Sequence, residues 1–370
     1  MSVLIMLAQS FFCVVGGLYF LGMLLSGGEE RKGIKEDDKK EAERINKLEK
    51  IALGKPLTER ARPKCFDEII GQEKAVKALK VALCGRNPQH ILIYGPPGVG
   101  KTAAARVALE EAKHSPGTPF LRDAKFIELD ATTLRYDERS FADPLIGSVH
   151  DPIYQGSGAY GAAGIPQPKP GAVSDAHGGV LFIDEIGELA PMQMNKLLKV
   201  LEDRRVFFES AYYSRTNKSI PHHIHAIFRD GMPADFRLIG ATTRSPSEIP
   251  PALRSRCTEI FFLPLGFNQV MKIIHNAAGR LELGIEPEAA ELLCTYTANG
   301  RDAVRILETL ANLCESEGRH VVRKKDVQWA ARSGRFEKRR SDYQHRPEPE
   351  KKPKPMPEKV VDLGAYLKKS

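Results

Sequence analysis

The stretch HILIYGPPGVGKTAAARVALEEA, residues 90–112, constrains the fold of this 370-residue chain more than any other. An apolar run, His90–Tyr94, enters a glycine-rich loop and then a series of strong helix formers. The spacing G-x-x-x-x-G-K-T is met by Gly95, Gly100, Lys101 and Thr102. Strand, loop and helix in that order make a phosphate cradle. The loop of Gly95, Pro96, Pro97, Gly98, Val99 and Gly100 lets backbone N–H groups turn inward, and the helix start adds its positive dipole end. The pattern expects Lys101 on the β- and γ-phosphates of ATP and Thr102 on Mg²⁺.

A second apolar run, Val180–Ile183, ends in Asp184 and Glu185. Asp184 is expected to hold Mg²⁺ and Glu185 to activate the attacking water as general base. Downstream come FRLIGATT (Phe236–Thr243), then Arg254 and Arg256 before another apolar run, then Arg301 and Arg305 near a helix start. Strands are expected near 91–94, 125–130, 180–183, 236–242 and 259–263, giving a five-stranded parallel sheet over residues 56–265. Four helices should follow over 266–335, forming a small all-α lid domain. The segment Phe208–His225, with Tyr212 and Tyr213, reads as a hairpin insertion, and the cluster His222, His223 and His225 as part of a loop or hairpin rather than a metal site.

Val3–Leu25 is uncharged and long enough for a single transmembrane helix, and no Lys or Arg precedes it. Eight Lys/Arg between Arg31 and Lys50 place the rest of the chain on the cytoplasmic side of the cell inner membrane. Residues 26–55 form a charged linker or stalk, with Ile45, Leu48 and Ile51 at helical spacing. The net charge of +8 is uneven: from Arg335 onward there are 11 Lys/Arg against 6 Asp/Glu, so a proline- and lysine-rich tail over 336–370 carries much of it. That tail reads as disordered and solvated, and a nucleic-acid partner is not expected. The six cysteines (13, 65, 84, 257, 294 and 314) have no metal or disulfide spacing and read as reduced.

The order of these motifs resembles the AAA+ ATPases. More narrowly, RPKCFDEIIGQE, ALCGRNPQHILIYGPPGVGKTAAARVALEEAK, GGVLFIDEIGELAPMQMNKLLKVLED and FRLIGATTRSPSEIPPALRSRC resemble the ATPase part of the bacterial membrane-anchored LonB-type ATP-dependent proteases. The resemblance covers roughly residues 1–335. It implies an adenine-side contact within Phe66–Leu79, at Ile70. It implies that Thr243, with Thr242 as the alternative, is sensor 1, that Arg256 is an arginine finger acting on the neighbouring subunit, and that Arg301 is sensor 2. A finger supplied in trans implies a ring, a homo-hexamer. Members of that family continue into a peptidase with a serine–lysine dyad in a GPSAG-like stretch. No such stretch occurs in these 370 residues, so intrinsic proteolysis is not expected and a separate peptidase subunit is a candidate partner.

Rings that thread polypeptide grip it with an aromatic on a central loop. Tyr160, in GAYGAAG, is the candidate here and Tyr154 the second, against the alternative of a surface loop with a packed tyrosine. The expected activity is ATP-driven remodelling or unfolding of protein at the membrane. A DNA-dependent motor or loader is the alternative from another class, but residues 140–200 carry few Lys/Arg to track a phosphate backbone. A non-hydrolysing membrane scaffold is the third.

Overall fold

The computed structural model describes residues 17, 44–45, 62–134, 143–151, 164–217, 220–297 and 299–334. The chain divides into two compact units, Met1–Pro56 and Leu57–Ser370. In the first, Gly17, Arg44 and Ile45 are described, all helical. The expected membrane helix (Gly17 apart), most of the stalk, Tyr154, Tyr160 and the tail lie outside the described residues. Among the described residues, no helix is long and apolar enough to cross a membrane.

The second unit starts with helix α1 (Glu73–Leu83), strand β1 (His90–Tyr94), helix α2 (Lys101–His114) and strand β2 (Phe126–Asp130). An antiparallel pair, β3 (Gly147–His150) and β4 (Gln167–Pro170), and one helical turn, α3 (Ala172–Asp175), lead into β5 (Val180–Asp184) and α4 (Pro191–Asp203). Then come β6 (Arg205–Val206), α5 (His222–Asp230), β7 (Met232–Pro233), β8 (Arg237–Thr242), the short α6 (Pro251–Arg254) and β9 (Cys257–Phe261). Strands β2, β5, β8, β1 and β9 form one sheet in that spatial order, every neighbouring pair parallel.

The three central strands, β5, β8 and β1, are buried on both faces, which is why they read as apolar runs, while the edge strands β2 and β9 interleave polar residues. The side-chain period of two divides each run between two cores. Ile91 and Ile93 join Phe182, Ile239 and the inner faces of α1 and α2. Leu92 and Tyr94 join Leu181, Ile183, Leu238 and the inner face of α4. On α2, Ala104, Ala105, Ala108 and Ala112 are fully buried, and their small side chains let the helix lie close to the sheet.

The lid comprises α7 (Phe267–Arg280), α8 (Pro287–Tyr296), α9 (Gly300–Ser316) and α10 (Lys324–Ser333), the four helices expected. It is not purely helical. Strands β10 (Gly284–Ile285) and β11 (Val321–Val322) pair in parallel and tie the α7–α8 connection to the start of α10. Two other expectations are corrected. The last core strand runs from Cys257 to Phe261 rather than from 259 to 263, because it is registered against all of β1, Cys257 opposite His90 and Phe261 opposite Tyr94. The segment after α4 is a hairpin only at its base, where β6 and β7 pair antiparallel: between them, turns at 211–212 and 215–216 precede α5, which carries all three clustered histidines. Tyr213 stacks on Phe228 at 4.2 Å and its hydroxyl meets His225 Nδ1 at 3.0 Å, so the apolar face of a helix, not a cross-strand ladder, captures the tyrosine.

His90 is a pH-sensitive joint in this sheet. Its Nδ1 accepts the backbone N–H of Leu238 at 3.0 Å, a role only the neutral ring can fill. Burial, with the nearby charge of Arg237, lowers its pKa from 6.5 to about 4. Below about pH 6.5 the unfolded chain binds a proton here that the folded chain does not, so this residue's contribution is whole above that pH and erodes as pH falls toward 4. The expected loss is about 2–3 kcal/mol across that window. Urea unfolding of wild type and His90→Gln at pH 7.5, 5.5 and 4.5 checks it. Equal pH dependence of the two would remove His90 as the cause.

Candidate functional site

Three adjacent strands, β5, β8 and β1, end side by side, and the chemistry-bearing residues sit at their carboxyl ends. After β1, the loop Gly95–Gly100 turns into α2. Gly98 and Gly100 have φ of 73° and 99°, the left-handed region that glycine enters without strain. The first N–H groups of α2 have no acceptor within the helix and are available to an anion. Lys101 is almost wholly buried, and its ammonium donates to the carbonyls of Gly95 at 2.6 Å and Pro96 at 3.1 Å. Burial pulls this ammonium below the usual lysine range; Glu185 and Asp184 oppose the shift and Arg301 adds to it. Thr102 follows, half-buried, on the first turn.

Asp184 closes β5. Burial pushes its carboxyl above the usual range, the Glu185 backbone N–H opposes this, and the Glu185 charge reinforces it. Glu185 itself has φ 47°, an uncommon conformation for a residue with a side chain. The strained turn reverses the chain into Ile186–Glu188, and Gly240 makes room for it. A Cβ on Gly240 would lie 2.7 Å from Ile186 Cδ1 and 2.9 Å from Leu92 Cδ2. The carboxylate of Glu185 reaches the end of β8, where Oε2 accepts the backbone N–H of Thr243 at 3.0 Å and its hydroxyl at 3.1 Å. Thr242 is buried instead, and its Oγ1 accepts the N–H of Arg244.

The lid touches the phosphate loop directly. Gly300 N–H donates to the carbonyl of Gly98 at 3.0 Å, and a Cβ on Gly98 would lie 2.5 Å from Asn299 Oδ1. Asn299 caps α9 by accepting from Asp302 N–H, and Arg301, exposed, stands on the first turn. Asn299 was not among the residues singled out above; an Asn-Gly pair opening an amphipathic run marks a cap, and nothing in the sequence alone joins that cap to the loop. On the far side of the loop Ile69 is buried, with a methyl 3.9 Å from where a Cβ on Gly100 would stand, while the expected adenine contact, Ile70, is only half-buried.

Arg256 stands apart. It directly precedes β9, whose first residue is level with His90, the first residue of β1. Arg256 is thus level with Gln89, and six residue steps of parallel strand, about 20 Å at ~3.3 Å per residue, separate its backbone level from Gly95. The guanidinium donates to Ala252 O at 2.7 Å and pairs with Glu202. Arg254 is held elsewhere, bonding Glu259 at 2.6 Å, and Glu259 also accepts from the hydroxyl of Tyr94, the residue before the phosphate loop.

Residues 65–259 match the family model described as magnesium chelatase, subunit ChlI. Over 328 residues the chain is 57% identical to Lon protease 2 of Bacillus subtilis (strain 168), covering 89% of this chain and 59% of that protein. It thus spans about three fifths of that relative's length. It is 28% identical over 292 residues to the Holliday junction branch migration complex subunit RuvB of Campylobacter fetus subsp. fetus (strain 82-40), covering 76% of this chain and 70% of that one. The solved RuvB branch migration motor of Thermotoga maritima matches with a TM-score of 0.49 at 24% identity, over 74% of this chain and 73% of that chain. With more than half of its length matched by the family model, the chain belongs to the magnesium chelatase ChlI-type family of AAA+ ATPases and is related to Lon protease.

Proposed function

We propose that this protein is a membrane-anchored ATPase that forms a ring, a homo-hexamer, and uses ATP hydrolysis to remodel or unfold protein. The observation that carries the reading is the gathering of Lys101, Asp184, Glu185 and Thr243 at the ends of adjacent strands, with Arg256 at the opposite end of the same sheet.

The residues fit ATP with Mg²⁺. Two left-handed glycines and a helix start form an anion cradle, and among the described residues the buried Lys101 hydrogen-bonds carbonyls, which phosphate oxygens can replace. Thr102 and Asp184 would hold the magnesium ion, which supplies charge neutralisation on the phosphates when bound. Glu185 takes the proton of the attacking water, and Thr243 fixes its carboxylate. Arg301 brings a positive charge from the lid, and Arg256 supplies one to the neighbouring subunit. The N-terminal apolar run anchors the ring in the inner membrane with the ATPase unit in the cytoplasm. Tyr160 and Tyr154 are the candidate grips on the polypeptide. Proteolysis, where it accompanies unfolding, is the work of a peptidase outside these 370 residues, on a separate subunit or otherwise joined to the ring.

The relative named for branch migration supports a second reading, a DNA-driven motor. One experiment separates the two. Protein prepared from the membrane fraction in detergent is assayed for ATP turnover with unfolded polypeptide, with single-stranded DNA and with duplex DNA. The expected result is several-fold stimulation by polypeptide and none by either DNA. Stimulation by DNA alone would replace the reading, and recovery of the protein in the soluble fraction would remove the anchor from it.

A further inference from the structure

We infer that Glu202 is a positioning residue for ATP hydrolysis in the neighbouring subunit, acting by holding Arg256. The inference rests on the reading that Arg256 completes a neighbour's site.

A guanidinium has five N–H donors. Within its own chain Arg256 uses two groups: Nη1 donates to the carbonyl of Ala252 and Nη2 to the carboxylate of Glu202. The remaining donors make no hydrogen bond among the described residues. Two groups of the guanidinium are therefore held by one carbonyl and one carboxylate, and its other N–H donors remain for a further acceptor. Arg256 also lines an open cavity of ≈360 Å³, shared with Leu201, Arg204 and Cys257, so a partner group has room to approach.

Glu202 has a second connection. It lies on the last turn of α4, the helix that begins six residues after Glu185. That helix is 13 residues long, about 20 Å at ~1.5 Å per residue. Its inner face is locked to the sheet by Met194, Leu197 and Val200, and its end is closed by Arg204 N–H donating to Val200 O. One rigid rod thus joins the turn that presents a subunit's own general base to the carboxylate that sets its outgoing arginine.

The pair is exposed, 34% at Arg256 and 56% at Glu202, so it adds little to stability and a variant lacking it should fold. Its effect should appear in turnover. A misaimed finger loses an interaction made in the transition state, which lowers kcat and leaves the KM for ATP in place.

The test measures kcat and KM of assembled rings of wild type, Glu202→Ala and Glu202→Gln, with ring assembly checked by light scattering. Glu202→Ala should lower kcat tenfold or more with KM within twofold. Glu202→Gln, which keeps the acceptor oxygen and the side-chain volume, should fall between. Glu202→Ala subunits are then mixed with an excess of Glu185→Gln subunits, which have an intact Glu202–Arg256 pair but no general base. Turnover per Glu202→Ala subunit should rise toward the wild-type rate, because each now receives a well-aimed finger. Unchanged kcat in both variants, or no recovery on mixing, would overturn the inference. Wild-type turnover in an Arg256→Ala ring would instead overturn the reading beneath it.

Discussion

Glu185→Gln is expected to slow ATP turnover by about 10²–10⁴-fold, the range for losing a general base, while ATP still binds. The substitution is nearly isosteric. Its amide oxygen can still accept the N–H and hydroxyl of Thr243, so the bonds at 3.0 and 3.1 Å survive and the loop keeps its shape. A neutral amide cannot take a proton from water. Lys101 and the cradle are untouched, so affinity should change little. The two quantities are read separately: kcat in a coupled assay, and affinity with a fluorescent ATP analogue. Turnover near wild type would move the base role elsewhere, with Asp184 the first alternative. Burial already holds its carboxyl above the usual range. Loss of binding together with turnover would mean that Glu185 holds the loop rather than the water.

The central strands were legible because they are buried on both faces and so read as apolar runs that end in chemistry. IDE closing β5 and ATT closing β8 mark carboxyl ends on the same side of the sheet as the loop before Lys101. Their mutual contact was not legible. That Glu185 bonds Thr243 and not Thr242 depends on a left-handed turn at Glu185, and sequence pattern does not report the backbone angle of a charged residue. Phe208–His225 read as a hairpin throughout for a related reason, although only β6 and β7 at its base pair. Its aromatic and histidine content suits either form, and the decision came from Tyr213 finding Phe228 one helical face away. The β10–β11 bridge is two residues per strand, too short for any periodicity to show. Asn299 and Glu202 escaped because each acts through a partner far along the chain, Gly98 and Arg256, and a cap and a surface acid look ordinary alone.

Arg256→Ala is expected to cost more than any other single change to a residue outside a subunit's own pocket. An arginine finger contributes about 10³–10⁵-fold to turnover. Arg256 stands just before the amino end of β9, about 20 Å of strand back from the level of Gly95 at ~3.3 Å per residue, so it cannot complete the site of its own chain without leaving its partners. The variant should therefore bind ATP as wild type does and hydrolyse it hardly at all. Mixing supplies the decisive arm. Arg256→Ala subunits keep Glu185, and Glu185→Gln subunits keep Arg256. In a mixed ring, an Arg256→Ala subunit beside a Glu185→Gln subunit has a general base of its own and a finger from its neighbour. Two preparations that are each inactive should regain turnover when co-assembled, in proportion to the number of such interfaces. If the arginine acted within its own chain, every subunit in the mixture would still lack one group, and activity would stay at the sum of the two separate preparations.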